Sequence, residues 1–393
     1  KNYNLHLKNF YINNKNSILL YIIFLIYLIF QILPLPINLL KFFSPEKLKL
    51  INLPDNISFS SISLSPSNSF FQILNFLSLL LIVFICRMIL YAERHKYRFF
   101  FFLSLIGFIT SIIAVLFYLN GNPDILIFKN SYYKNASTGF FINRTVSAVF
   151  LIFCLISSLE LLKNFSENNK KDYFFSKTYT RLFTIFITIG IITSFSRIGN
   201  FLLLITIIFY LFNEFFYEKK KNLSFKVIIL FIVFFDLIII GFYFGKSEII
   251  DRFYFLKEEF SSISDEIIIY TSRFDIIKFS ISEIKNFIIF GYGAGGFENL
   301  FQLKFTNTSN QFANHSHSDF IEFLGEFGLI GFALFTLSII SYFLKPKNYN
   351  LVNLILFSFL IVLGFFDFSL HIPIIQIMFV IFFMVNYKTT RLN

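Results

Sequence analysis

Two histidines and three carboxylates crowd into one short stretch: Asn314-His315-Ser316-His317-Ser318-Asp319 leads into a helix that also carries Glu322, Glu326, Gly328 and Gly331. Imidazoles and carboxylates held together can move protons, and an imidazole with an ordinary pKa of about 6.5 suits His317 to a general-base role near neutral pH. At about 3.6 residues per turn Asp319, Glu322 and Glu326 fall along one helix face, which Ser318 or Asp319 can cap. The blander alternative is a solvated helix start with interfacial carboxylates. A metal site made of His315, His317 and Asp319 is a weaker alternative, because two imidazoles hold a divalent ion only where other ligands close the shell. The expectation is therefore proton chemistry with no metal and no cofactor.

Four arginines stand out next. They are Arg144 after Gly139-Phe-Phe-Ile-Asn143, Arg197 in Thr193-Ser-Phe-Ser-Arg197, and Arg252 and Arg273 in a long polar stretch. A guanidinium grips phosphate oxygens in a fixed two-point geometry, so a pyrophosphate is the ligand that these positions suit, Arg197 and Arg273 foremost. The third feature, Gly291-Tyr-Gly-Ala-Gly-Gly296, lacks the Lys-Ser/Thr and the preceding strand of a nucleotide loop. Its glycines, Gly291 and Gly293 among them, instead let backbone approach another segment or pack against substrate. The sequence holds no Gly-x-Ser-x-Gly elbow and no His-Glu-x-x-His helix.

The elements that must position these groups are membrane helices. With 56% hydrophobic and 15% charged residues among 393, the chain lies outside the soluble range. Apolar runs near the length of a bilayer crossing cover residues 18 to 33, 70 to 90, 99 to 119, 145 to 162, 181 to 195, 198 to 216, 225 to 244, 320 to 343, 351 to 366 and 371 to 387. Basic clusters mark alternate connections, among them Arg94 to Arg98, Lys163 to Lys177, Lys219 to Lys221 and Lys345 to Lys347. By the positive-inside bias those faces and both termini are cytoplasmic. The opposite side then takes Pro34 to Ser69, Asn120 to Asn143, the turn at Ser194 to Arg197, the loop 246–318 and the turn around Asp367.

The net charge of +11 is explained by those clusters and does not indicate nucleic acid. With 20 Tyr and no Trp, tyrosine is left to anchor the interfaces. Cys86 and Cys154 lie far apart in apolar runs and behave as small hydrophobes. The fold class expected is an all-α polytopic membrane protein of about ten spans, a single domain over 1–393, with one large periplasmic loop. The first run is too long for a cleaved signal core and reads as a retained helix.

In chain order, Gln31-Ile-Leu-Pro-Leu-Pro36, Gly139-Phe-Phe-Ile-Asn-Arg144, Ser196-Arg197-Ile-Gly199, Gly291-Tyr-Gly293, His315-Ser-His-Ser-Asp-Phe320 with Glu326-Phe-Gly-Leu-Ile-Gly331, and Phe366-Asp-Phe-Ser-Leu-His-Ile-Pro373 resemble the O-antigen ligase superfamily. That superfamily includes lipopolysaccharide O-antigen ligases, O-antigen polymerases and bacterial oligosaccharyltransferases. The ligase signature resembles His, then Ser, Asn or Gln, nine residues, Gly, two residues and a small residue, and His317-Ser318, Gly328 and Gly331 fit it. An Arg-x-x-x-Leu pattern of ligases would begin at Arg197, but Phe201 stands in the Leu place. Members commonly have more spans than are read here, which implies one or two upstream of Lys1.

The resemblance implies a GT-C-like membrane glycosyltransferase of the bacterial inner membrane, with its catalytic region over 139–373. Its donor would be an undecaprenyl pyrophosphate-linked glycan, and its acceptor a hydroxyl of lipid A-core, glycan or protein on the periplasmic face. No nucleotide sugar or metal would take part. His317, Arg197 and Arg273 would be catalytic, and Arg144, His315, Asn143, Asp319, Glu326, Gly291 and Gly293 would bind substrate. The rival of another class is a transporter or flippase for lipid-linked sugar, which would carry buried charges in several spans and repeated halves; the sequence has no visible repeat.

Overall fold

A computed structural model describes residues 2–51, 58–124, 134–167, 174–216, 273–305, 313–345 and 350–387. The expected span at 225–244, Arg252 and the loop up to residue 272 lie outside the described residues. The remainder is helical. Among the described residues nine helices carry the bundle: α1 Asn2–Ile32, α4 Pro66–Ile89, α5 Glu93–Leu119, α6 Arg144–Glu167, α7 Phe174–Thr193, α8 Arg197–Phe216, α11 Asp319–Phe343, α12 Leu351–Phe366 and α13 Pro373–Val385. Four short ones lie outside it: α2 Ile37–Phe43, α3 Pro45–Leu50, α9 Arg273–Ile284 and α10 Phe297–Lys304. Among the described residues six helices are long and apolar enough to cross a membrane, while α12 and α13 are apolar but shorter. Each coincides with an apolar run read from the sequence, and α1 begins earlier than its run at residue 18.

A helix hydrophobic on every side can face lipid or protein, and α6 is the one that protein covers most fully: 94% of its apolar window is buried, against 28–39% for the other five. It is the central pillar. Small residues set its spacing to its neighbours. A Cβ on Gly107 of α5 would meet the Cβ of Cys154 at 2.3 Å, and one on Gly199 of α8 would meet that of Ala148 at 2.4 Å. Thr184 of α7 donates to Ser158 of α6 at 3.1 Å, and Tyr210 of α8 donates to Glu160 of α6 at 2.7 Å.

Side-chain contacts also fix the direction of the helices. Tyr21 of α1 donates to the Phe76 carbonyl of α4, while Ser17 and Gln31 of α1 reach the Ser338 and Glu326 carbonyls of α11, so α1 runs antiparallel to both. As a result the starts of α4, α6, α8, α11 and α13 gather at one end of the bundle. At the opposite end Asn13 donates to the Tyr387 hydroxyl at 3.1 Å, which brings the two described ends of the chain together. The fully buried Arg87 guanidinium lies there between the Phe10 and Tyr387 rings, 5.6 and 4.6 Å from their centroids, and donates to the Met384 carbonyl. A cation at the carbonyl ends of α4 and α13 is where the helix dipoles favour it.

Over the gathered helix starts sits a cap. The antiparallel pair β1 Leu35–Pro36 and β2 Phe59–Ser60, with α2 and α3, folds against α9 and α10. A second, smaller apolar core of Ile276, Phe287, Tyr292, Phe297, Leu300 and Phe301 holds this layer. Buried Lys47 donates to the Ser61 and Ser63 carbonyls at 2.7 and 2.6 Å, and Lys304 pairs with Glu46 at 3.1 Å and Glu283 at 2.6 Å. Burial pushes the Lys47 ammonium down to about 8.

The helix that carries the carboxylates is broken. Gly328 in α11 has φ 64° and ψ 179°, an extended mirror-image conformation available to glycine and strained for any other residue. Residues 288–293 fill the gap: Leu329 and Ile330 donate to the Ile288 and Ile289 carbonyls at 2.8 and 3.4 Å, and Tyr292 and Gly293 donate to the Gly325 and Glu326 carbonyls at 3.0 Å each. Two α1 side chains close the seam. Gln31 donates to the Phe290 and Glu326 carbonyls at 2.7 and 2.9 Å, and the Tyr27 hydroxyl lies 2.8 Å from both the Phe290 and Phe327 carbonyls.

A Cβ at Gly328 would stand 2.3 Å from the Ile289 carbonyl oxygen. Gly328→Ala should therefore lower the thermal midpoint of the detergent-solubilised protein by far more than Gly121→Ala. Gly121 also has a positive φ but nothing within 4 Å, so only the backbone cost of about 1–2 kcal/mol remains.

Candidate active site

The site is built on the first two turns of α11. Ser318 occupies the cap position, but its hydroxyl donates to the Gly364 carbonyl at 3.1 Å and makes no capping bond. Asp319 does not cap either. Its carboxylate accepts from the Leu370 amide at 2.7 Å and pairs with His371 Nδ1, and its own amide donates to the Asp367 carbonyl. The 3-10 turn Ser369–His371 is thereby pinned to the start of α11. The helix face expected from the sequence exists: Asp319, Glu322 and Glu326 are all buried and all approach His371, whose Nε2 lies 3.4 Å from Glu322 and 3.7 Å from Glu326.

Glu322 also organises the turn before the helix. One of its oxygens pairs with His315 Nδ1 at 2.9 Å, and the other accepts from the Ser316 amide at 2.7 Å. His315 stacks on Phe368, with centroids 4.9 Å apart. Pulled down on both sides, the chain rises at His317, which has φ 62°. This left-handed conformation carries a cost for a residue with a Cβ and marks a backbone held by its surroundings. The ring lies edge-on to Phe368, and its Nδ1 makes no hydrogen bond. Burial, reinforced by the charge of Arg273, pushes His317 down to about 4 and not the ordinary value expected from the sequence, so it is neutral at pH 7 and a weaker base than a free imidazole. Burial opposes charge on His371, yet the Glu322 and Asp319 carboxylates hold its pKa well above the usual value.

A polar pocket of about 270 Å³ opens onto these groups. His315, Glu322, Glu326 and His371 line one side, and Asn68, Gln72, Gly295 and Glu298 line the other. Directly beneath, an apolar cavity of about 340 Å³ runs down the bundle between Phe323, Leu370 and Gln376 at its top and Phe10 and Tyr342 at its foot. The two are separated by the Phe323 ring, which stacks on His371 at 4.2 Å.

The other expected residues fall into three groups. Arg273 starts α9 exposed, close enough for its charge to act on His317 and Asp367. Asn143, Arg144 and Arg197 sit at paired helix starts, where Asn143 accepts from the Thr145 amide at 2.7 Å and Ser196 accepts from the Gly199 amide at 3.1 Å. Ser196 also donates to Thr145 at 3.1 Å, so α6 and α8 begin side by side, and the Arg197 side chain is exposed.

Gly291 and Gly293 have the close approach to another segment that is one of the two readings of these glycines. A Cβ on Gly291 would meet the Glu326 carbonyl oxygen at 2.2 Å, and one on Gly293 would meet Ser63 at 2.3 Å. Both are pressed against protein, because only a residue without a side chain lets residues 288–293 seal the broken helix. The sequence reading left His371 out of the site residues. It lies 52 positions beyond Asp319, in a turn with no metal or catalytic spacing, and only its place in Phe366-Asp-Phe-Ser-Leu-His-Ile-Pro373 singled it out.

Residues 182–336, a stretch that holds Arg197, Arg273, His317 and the break in α11, match the family described as O-antigen ligase, which supports the resemblance to that superfamily. No curated protein matches the chain. The apolar helices and the matched family fit a multi-pass membrane protein, and that family is of a glycosyltransferase-like enzyme class.

If Glu322 ties down the turn, Glu322→Ala should release it: amide hydrogen exchange over residues 313–318 is expected to rise sharply while α5 and α6 keep their protection. Unchanged exchange there would remove the positioning role of Glu322.

Proposed function

We propose that the chain transfers a glycan from undecaprenyl pyrophosphate to an acceptor hydroxyl at the periplasmic face of the bacterial inner membrane, most nearly as an O-antigen ligase does. The observation that carries this reading is the meeting of His317 and Arg273. A base and a phosphate-binding cation 44 positions apart share one electrostatic neighbourhood, next to the His315 and Glu322 pair that lines a polar pocket. The apolar cavity under that pocket suits an amphiphilic donor with a long hydrocarbon tail.

In this reading the acceptor hydroxyl gives its proton to His317 as its oxygen attacks the anomeric carbon. The bond from that carbon to the phosphate oxygen breaks, and its electron pair leaves on the pyrophosphate. Arg273, with Arg197 and Arg144 at the neighbouring helix starts, offsets the charge that develops there. His315, Asp319 and Glu326 shape the acceptor side, and Asn143 acts through its cap on α6. The acceptor is lipid A-core in the ligase reading, a growing glycan for a polymerase, or a protein hydroxyl for an oligosaccharyltransferase. The positive-inside pattern supports placing both termini in the cytoplasm.

His317→Ala and Arg273→Ala should each lower transfer from a lipid-linked donor by about 100-fold or more, with protein level and thermal midpoint unchanged. Retained transfer by His317→Ala would remove its role as the base.

A further inference from the structure

We propose that His371, Glu322, Glu326 and His315 form a site for one divalent first-row transition-metal ion, with zinc the best fit, that ties together the three segments on which the His317 turn rests. The proposal goes beyond glycan transfer and beyond the expectation of a metal-free protein. The ion is a structural one beside the reacting groups.

The first argument is the orientation of His371. Asp319 holds Nδ1 through one oxygen and takes the Leu370 amide on the other, which fixes the ring and turns Nε2 toward the pocket. A carboxylate on one imidazole nitrogen with the other left for a metal is the usual outer support of a metal-bound histidine. His371 is only 7% exposed, and Nε2 has no hydrogen-bond partner.

The second is distance. Nε2 stands 3.4 Å from a Glu322 oxygen and 3.7 Å from a Glu326 oxygen, longer than good hydrogen bonds. Bonds of about 2.0–2.1 Å to a tetrahedral zinc put neighbouring ligand atoms about 3.3–3.4 Å apart, which is close to this spacing. One donor atom each from His315, Glu322 and His371 all lie within 4.8 Å of one another. Glu326, 2% exposed, adds an oxygen that likewise has no partner.

The third is charge. Three carboxylates are buried here, and among the described residues their ion pairs are with His315 and His371 and not with Lys or Arg. A dication held by Glu322, Glu326 and two neutral imidazoles is balanced within its own shell, and Asp319 stays outside that shell as the carboxylate on His371 Nδ1. Two imidazoles with two carboxylates suit zinc among the available divalent ions.

The test uses the full chain in lipid nanodiscs, stripped with a chelator and titrated with zinc, with bound metal counted by mass spectrometry. One zinc per chain is expected. His371→Ala and Glu326→Gln should bind at least about tenfold more weakly, and Asp319→Asn, which alters only the outer support, about 10–100-fold more weakly. Glu93→Gln, at the far end of the bundle, should bind as wild type. X-ray absorption at the zinc edge of the wild-type protein needs no variant to fold, and should show a nitrogen and oxygen shell with imidazole scattering. Less than a tenth of an equivalent in the wild type, equal binding by His371→Ala, or a shell without imidazole would each overturn the site. These readouts are independent of glycan transfer, so a failure here leaves the transfer reading standing.

Discussion

The interruption of α11 at Gly328 is the constraint from which the site follows. An unbroken helix would satisfy its own backbone and need nothing from its neighbours. A broken one exposes carbonyls and amides inside an apolar bundle, where each unpaired group is costly. Residues 288–293 meet that need from the cap side, and Gln31 and Tyr27 meet it from α1. One local irregularity therefore recruits two distant segments. Glu326, two residues before the break, is fixed by the same bonds that seal it.

Above the break the polar groups form one connected unit. Asp319 carries His371, His371 faces Glu322 and Glu326, and Glu322 anchors the backbone on which His317 rises. Such a unit is expensive to bury, and the bundle tolerates it because its members pair with one another at the end of the apolar layer. The opposite end carries the converse arrangement, a buried guanidinium between aromatic rings at two helix C-termini. Between them α6 supplies an almost fully covered apolar pillar. This polarity gives the bundle two chemically different ends, and the buried cluster of histidines and carboxylates sits at the end where α4, α6, α8, α11 and α13 begin.

The short motifs divide into those that touch chemistry and those that make room for it. In Ser196-Arg197-Ile-Gly199 the serine caps α8 and the glycine admits α6, which leaves the arginine to face outward. In Gly291-Tyr-Gly293 both glycines serve the seam, and Tyr292 anchors the core of the cap. A motif thus mixes functional and packing residues, and its spacing alone does not separate them.

The helices themselves were legible in the sequence, because a bilayer leaves few ways to satisfy backbone groups and a run of apolar residues is a direct signal. So was the carboxylate face of α11, since Asp319, Glu322 and Glu326 are related by helical periodicity alone. Neither His371 nor the role of Gln31 could be read that way. Their partners lie 52 and 295 residues away, and periodicity carries no information across such separations. The break at Gly328 was hidden for a related reason. Glycine is tolerated in membrane helices for close packing, and whether it interrupts one depends on a second segment arriving to bond the exposed backbone. Composition and local periodicity determined that this chain is a helical membrane protein with one acid-and-histidine-rich helix start. The tertiary structure alone decided which distant residues close around it, because those contacts exist only when α1, the cap and the final turn are packed together.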